Sequence, residues 1–127
     1  MRAIKAILSV ALLGAALLVT SAFAKDISAD EFLKIDKTER ILLDVRTPKE
    51  YADGHIPTAM NIPVGDLEDM FSKLSDKDQQ IVVYCRSGFR AGRAIDFLKE
   101  QGYTNLVHLD GDFGEWEKQG REIVKPE

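Results

Sequence analysis

Three short apolar runs alternate with amphipathic stretches along this chain. They cover residues 41–45, 81–84 and 106–109, and a single aspartate, Asp44, interrupts the first of them. Near-continuous apolar runs of this length are typical of strands that are buried on both faces of a sheet. After the second run, apolar residues recur at helical spacing over residues 91–98. This order of strand and helix predicts an α/β fold, in which a parallel sheet has helices on both faces.

Local signals predict where the helices begin and end. The sequence from Ser28 to Glu31 is a capping box, which predicts a helix that runs to about Ile35. We expect the helix after the second strand to begin near Ala91 and to end at Gly102, since glycine is the usual helix terminator. Weaker signals predict a helical turn at 47–51, a very short strand at 60–62, a helix over 64–74 and a last short helix that carries Trp116.

The first 24 residues have the pattern of a cleaved secretory signal. Arg2 and Lys5 precede an apolar run over residues 6–19, and alanines in A-x-A spacing end at Ala24. An uncleaved membrane anchor is the alternative, but the run is shorter than the roughly 20 apolar residues that span a bilayer. We therefore expect cleavage after Ala24, a single domain over residues 25–127, a periplasmic location and no membrane partner once the signal is removed.

Composition excludes several classes of function. The chain has a formal net charge of −4, and loss of the N-terminal cations makes the domain more acidic. Without a long basic run, nucleic acid or an anionic membrane is not an expected partner. Two histidines, His55 and His108, and one cysteine at these separations make no metal motif, so we expect no metal site.

The only cysteine of the chain, Cys85, follows the second apolar run directly. Sites in parallel α/β sheets form at the carboxyl ends of strands, where loops lead into helices. Gly88 allows the backbone to curl so that its N–H groups surround an anion, and Arg86, Arg90 and Arg93 add positive charge. These surroundings favour the thiolate, which is the reactive form of cysteine. Cys85 is therefore the candidate nucleophile.

Other interpretations of these residues are less specific. Free cysteine is often a small buried apolar residue, but such a residue needs no glycine-bearing, arginine-flanked loop after it. Arg93 and Arg86 could be solvated surface residues, which leaves Arg90 as the better candidate for a functional cation. A single cysteine excludes thioredoxin-like redox cycling, because that chemistry needs C-x-x-C.

The segment over residues 85–90, CRSGFR, resembles the active-site loop of the rhodanese family of sulfurtransferases. The resemblance extends over residues 27–120. Its other motifs are LLDVRTPKEY at 42–51, GHIPTAMNIP at 54–63, QGYTNL at 101–106 and LDGDFGEW at 109–116. Separate matches in the right order are far more specific than any single one. One departure is Asp112, which stands where the family often has a second glycine.

The resemblance implies a rhodanese-like fold with a central parallel sheet of about five strands. It also implies that Cys85 takes a sulfane sulfur from thiosulfate or a similar anion, carries it as a persulfide and passes it to cyanide or a thiol. The chemistry needs no metal or organic cofactor. The residues expected to bind the sulfur-containing anion are Arg86, Ser87, Gly88, Phe89 and Arg90.

Alternative functions share this loop. One is a persulfide carrier that relays sulfur to a protein partner, and another is a relative that processes arsenate or phosphate. The family's anion-processing branch has a loop one residue longer than the six positions from Cys85 to Arg90, which disfavours it. An inactive interaction domain is disfavoured by the intact cysteine. We expect a monomer in which Asp44, Arg46 and His55 support the fold and Trp116 is a core residue.

Overall fold

The computed structural model describes residues 24–126, and a parallel β-sheet lies at its centre. Within these residues the strands are β1 (Lys25–Ile27), β2 (Arg40–Asp44), β3 (Met60–Asn61), β4 (Gln80–Tyr84) and β5 (Leu106–Leu109). They lie in the order β1-β5-β4-β2-β3, and every neighbouring pair is parallel. The predicted α/β fold is confirmed. The structure adds β1, which is too short and too polar to give a periodic signal in the sequence.

Helices connect these strands on both faces of the sheet. They are α1 (Ala29–Leu33), α2 (Pro48–Asp53), α3 (Leu67–Met70), α4 (Phe89–Glu100) and α5 (Asp112–Lys118), with 3-10 turns at Lys37–Glu39, Val64–Asp66 and Phe71–Lys73. No helix within residues 24–126 is long and apolar enough to cross a membrane. Apart from Ala24, the predicted signal sequence lies outside the described residues.

Two predicted helix boundaries differ from the structure by two residues. Helix α1 ends at Leu33 rather than Ile35, and α4 begins at Phe89 rather than Ala91. The early start of α4 has a local cause: Gly88 adopts a φ of 109° as the N-cap, and its carbonyl accepts the Gly92 N–H at 2.9 Å.

The predicted helix over residues 64–74 is divided into a 3-10 turn, the short α3 and a second 3-10 turn. The hydroxyl of Tyr103 donates to the carbonyl oxygens of Phe71 and Leu74. The Phe71 carbonyl also accepts the Leu74 N–H at 2.9 Å, so Tyr103 adds a side-chain contact where the segment ends. The segment still places Leu67 and Leu74 in the core. The apolar periodicity therefore predicted the buried residues correctly, but the prediction of one regular helix was wrong.

Each face of the sheet has its own apolar core. One core lies under α3 and α4, and the other lies under α1 and α5. Successive residues of β4 alternate between them: Ile81 and Val83 enter the first core, and Val82 and Tyr84 enter the second. Trp116 belongs to the second core and is 3% exposed, which confirms its predicted structural role.

A buried ion pair lies at the carboxyl end of β2. Asp44 is fully buried, and Arg46 donates to its carboxylate from Nε at 3.0 Å and from Nη2 at 2.6 Å. The hydroxyl of Tyr84 donates to Asp44 at 2.7 Å, and Arg46 also donates to the Gly54 carbonyl at 2.8 Å. Burial, followed by the Asp44 charge, raises the pKa of Tyr84 above its ordinary value, so this phenol stays a donor. The cluster joins β2, β4 and the end of α2.

We predict that Arg46→Met destabilises the protein by about 3–5 kcal/mol, because it leaves the Asp44 carboxylate buried without its cation. Urea unfolding measures this loss. The matched control is Lys49→Met, which breaks the exposed pair between Lys49 and Asp53 and should change the unfolding free energy little. Equal effects of the two substitutions would contradict the role assigned to the buried pair.

Candidate active site

Cys85 directly follows the carboxyl end of β4 and is buried. The residue is 1% exposed, and its Sγ accepts a hydrogen bond from the Gly88 N–H at 3.0 Å. Its carbonyl oxygen accepts the Phe113 N–H at 2.9 Å, while its own N–H donates to Asp112 Oδ1 at 3.0 Å. The sulfur is therefore fixed by the start of α4 on one side and by the start of α5 on the other.

Gly88 is required by the shape of this loop. Its φ of 109° is a conformation that residues with a side chain rarely adopt, and an added Cβ would lie 3.2 Å from Asp112 Oδ2. The same residue is the N-cap of α4, a helix of 12 residues. The free N–H groups at a helix N-terminus favour negative charge. Gly88 thus brings an amide and the positive end of α4 to the sulfur.

Arg90 lies in the first turn of α4 and pairs with Glu50 of α2. Its two terminal nitrogens donate to the two carboxylate oxygens at 2.7 and 3.1 Å. Glu50 also completes a capping box with Thr47. The hydrogen bond from Arg90 is the main cause that lowers the pKa of Glu50 to about 2. The pair joins the first turn of α4, which follows the Cys85 loop, to α2, which follows β2.

The other predicted site residues are more exposed. The Arg86 side chain is 54% exposed and reaches Glu117 at 3.5 Å, which is a weak pair. Ser87 is also exposed, and Phe89 is 75% exposed at the first position of α4. The structure therefore brings Cys85 and Gly88 into direct contact, and it turns the Arg86 side chain toward α5.

A family model described as a rhodanese-like domain matches residues 28–119. The chain belongs to the rhodanese-like family. A sulfurtransferase of Allochromatium vinosum is 39% identical over 92 residues, which cover 72% of this chain and 85% of that protein. The family resemblance predicted from the separated motifs is thus confirmed.

Solved structures share the rhodanese-like fold. A rhodanese-related protein from Thermoplasma volcanium is 29% identical with a TM-score of 0.70, and the match covers 80% of this chain and 99% of that one. The thiosulfate sulfurtransferase of Pseudomonas aeruginosa is 25% identical with a TM-score of 0.70, over 80% of this chain and 20% of that one. The predicted five-stranded sheet with flanking helices is therefore the rhodanese fold.

This rhodanese-like domain carries a second polar cluster behind the loop. Asp112 is 3% exposed and has a φ of 54°, at the position where the sequence departs from the family pattern. Nε2 of His108 lies 3.0 Å from its Oδ2, and Nδ1 of the same ring lies 3.1 Å from Asp26 Oδ1. In the sequence Asp112 is notable only as a departure from the family pattern, and neither His108 nor Asp26 is predicted to have a role at the site.

Glu50 was not predicted to belong to the site, although the sequence marks it as part of a capping box. Its position three residues after Thr47 marks a capping box, but that pattern gives no hint of a partner forty residues away. His55, by contrast, has the supporting role expected of it. Its Nδ1 lies 2.9 Å from the Tyr51 carbonyl, its ring stacks on Tyr51, and its backbone pairs with Val124.

We predict that Glu50→Gln destabilises the protein at neutral pH but not in strong acid. A carboxylate with a lowered pKa adds stability above its ordinary pKa of 4.5, and this stability is lost as the pH falls toward about 2. The difference in unfolding free energy between wild type and variant should therefore vanish over that interval. Glu68→Gln, on the exposed side of α3, is the matched control. A difference that does not depend on pH would contradict this assignment.

Proposed function

We propose that this chain is a sulfurtransferase in which Cys85 carries the transferred sulfur as a persulfide. The observation that carries the proposal is the hydrogen bond from the Gly88 N–H to Cys85 Sγ at 3.0 Å, at the start of α4. An amide that already donates to the sulfur stabilises negative charge there without reorganisation during the reaction. The named sulfurtransferase relative supports the same class of activity.

The proposed donor is thiosulfate, the substrate named for the Pseudomonas aeruginosa protein. The Cys85 thiolate attacks the outer sulfur of thiosulfate, and a new S–S bond forms as the old one breaks. Sulfite leaves with the bonding electron pair, and Cys85 becomes a persulfide anion. Cyanide or a thiolate then attacks the outer sulfur of the persulfide, forms thiocyanate or a new persulfide, and returns Cys85 as thiolate. Both steps balance without metal, cofactor or external reductant.

In this proposal the loop residues divide into two groups. The backbone around Gly88 holds the sulfur anion, and the pair of Arg90 with Glu50 fixes the first turn of α4 beneath it. Because Glu50 occupies both terminal nitrogens of Arg90, we infer that Arg90 acts chiefly by positioning the loop. Direct donor binding by Arg86, Ser87 and Phe89 stays a prediction.

A sulfur relay to a protein acceptor is the second candidate, and Phe89 is the observation that favours it. Among residues 24–126, Leu33 and Phe89 are the exposed large apolar side chains, and Phe89 lies next to the Cys85 loop. An exposed aromatic residue beside a reactive group suits contact with a protein partner. We also propose export to the periplasm, on the signal pattern of residues 1–24.

We predict that Cys85→Ser abolishes sulfur transfer from thiosulfate to cyanide and leaves the fold intact, because the hydroxyl is a far weaker nucleophile than a thiolate. Intact mass spectrometry after thiosulfate treatment should show one added sulfur on wild type and none on the variant. An adduct without turnover would favour the relay to a protein. Full activity of Cys85→Ser would disprove the mechanism.

We predict that Arg90→Ala lowers kcat/KM for thiosulfate by about 10- to 100-fold, since a small displacement of a reacting group costs that much. The cause is loss of the contact with Glu50 that fixes the first turn of α4. Arg93→Ala removes an exposed cation from the same helix and should leave the thiosulfate kinetics unchanged. Equal losses in the two variants would point to general electrostatic attraction instead.

A further inference from the structure

Both ring nitrogens of His108 face carboxylate oxygens. Nδ1 lies 3.1 Å from Asp26 Oδ1, and Nε2 lies 3.1 and 3.0 Å from the two oxygens of Asp112. A neutral imidazole donates from one nitrogen only, so its other nitrogen would face a carboxylate lone pair to lone pair. The imidazolium form donates from both. The geometry therefore matches a positively charged ring that bridges two carboxylates.

Asp112 connects this ring to the candidate nucleophile. Its Oδ1 accepts the Cys85 N–H at 3.0 Å, and its Oδ2 lies 3.2 Å from the point where a Gly88 side chain would begin. Gly88 in turn donates its N–H to Cys85 Sγ. One buried carboxylate thus accepts a hydrogen bond from the first residue of the short segment that surrounds the sulfur and lies beside its fourth, Gly88. An uncompensated negative charge in this place would oppose a thiolate or persulfide anion.

We infer that His108 is a positioning residue for the chemistry of Cys85: its imidazolium, held between Asp26 and Asp112, neutralises the Asp112 carboxylate and so allows the loop to hold a sulfur anion. The inference rests on the proposed function in one respect, which is that the sulfur anion of Cys85 is taken as the reactive form of this residue. It also accounts for an aspartate at a left-handed position, where the family often has glycine. The carboxylate holds the Cys85 amide, and the imidazolium offsets its charge.

The other groups around His108 are consistent with this assignment. From β1 it faces Asp26, from the start of α5 it faces Asp112, and its neighbour in β4 is the apolar Val83. On the α4 side, an open cleft of about 490 Å³ is lined by both His108 and Asp96. Among residues 24–126, the charged groups that contact the ring, Asp26 and Asp112, are both acidic. The hydrogen bond to Asp112 raises the pKa of His108 above its ordinary 6.5, although burial acts against this shift.

The test is the pH profile of Cys85 alkylation by iodoacetamide, measured on the purified protein by intact mass. This readout needs no sulfur donor. We expect His108→Gln to move the midpoint upward by about one pH unit, the usual effect of one nearby charge. His108→Gln combined with Asp112→Asn should lack this upward shift, because asparagine keeps an acceptor for the Cys85 amide and carries no charge. His55→Gln, which changes the other histidine, should match wild type.

Coinciding profiles for wild type and His108→Gln would overturn the inference, even if the variant melts at a lower temperature. If His108→Gln does not fold, the His108 ring signal can be titrated by NMR in wild type and in Asp112→Asn. We expect the asparagine variant to lower the midpoint of the ring, and an unchanged midpoint would overturn the inference. Absence of thiosulfate turnover in wild type would count against the proposed function and leave both of these tests intact.

Discussion

The carboxylate of Asp44 is the group around which the carboxyl edge of the sheet is arranged. A fully buried charge is tolerated only when hydrogen bonds and an opposite charge replace its water, and Asp44 takes these from Arg46 and Tyr84. The Arg46 guanidinium lies 4.1 Å from the ring centroid of Phe113, whose N–H donates to the Cys85 carbonyl. A chain of contacts thus runs from the end of β2 to Cys85.

The same edge explains how residues far apart in sequence form one site. Parallel strands present their carboxyl ends on one side, so the segments after β2, β4 and β5 meet there. Glu50 comes from the helix after β2, Cys85 from the end of β4 and Asp112 from the turn after β5. Glu50 pairs with Arg90 and Asp112 accepts the Cys85 N–H, so the segment around Cys85 is held from both sides. These contacts follow from the topology, which brings the three segments to one edge of the sheet.

Much of this arrangement could be predicted from sequence because its signals are local. The apolar runs at β2, β4 and β5 identified the buried strands, and the change from Tyr84 to a polar loop located Cys85. The boundary of α4 was wrong because it depends on the φ of Gly88, which the pattern of apolar residues does not report. Strand β1 was missed because three residues with one buried side chain have no periodicity.

The partners of the site residues could not be predicted from local signals, because most of them are far away in the sequence. Glu50 and Arg90 are forty residues apart, and Asp26 and His108 are eighty-two apart. Such pairs depend on strand order, with β1 next to β5 and β4 next to β2, and apolar periodicity does not specify that order. The family motifs supplied the fold, but they could not supply His108 with Asp112, since that pair exists where this chain departs from the family pattern.

The burial of Cys85 limits the formation of a disulfide between two copies of the domain. The chain has a single cysteine, so a disulfide between two copies would have to join Cys85 to Cys85. Such a bond requires two sulfurs about 2 Å apart with their α-carbons within about 7 Å of each other. A cysteine that is 1% exposed cannot approach a second copy of itself that closely while both domains stay folded. Burial of Cys85 therefore opposes disulfide-linked dimerisation of the folded domain through shape alone.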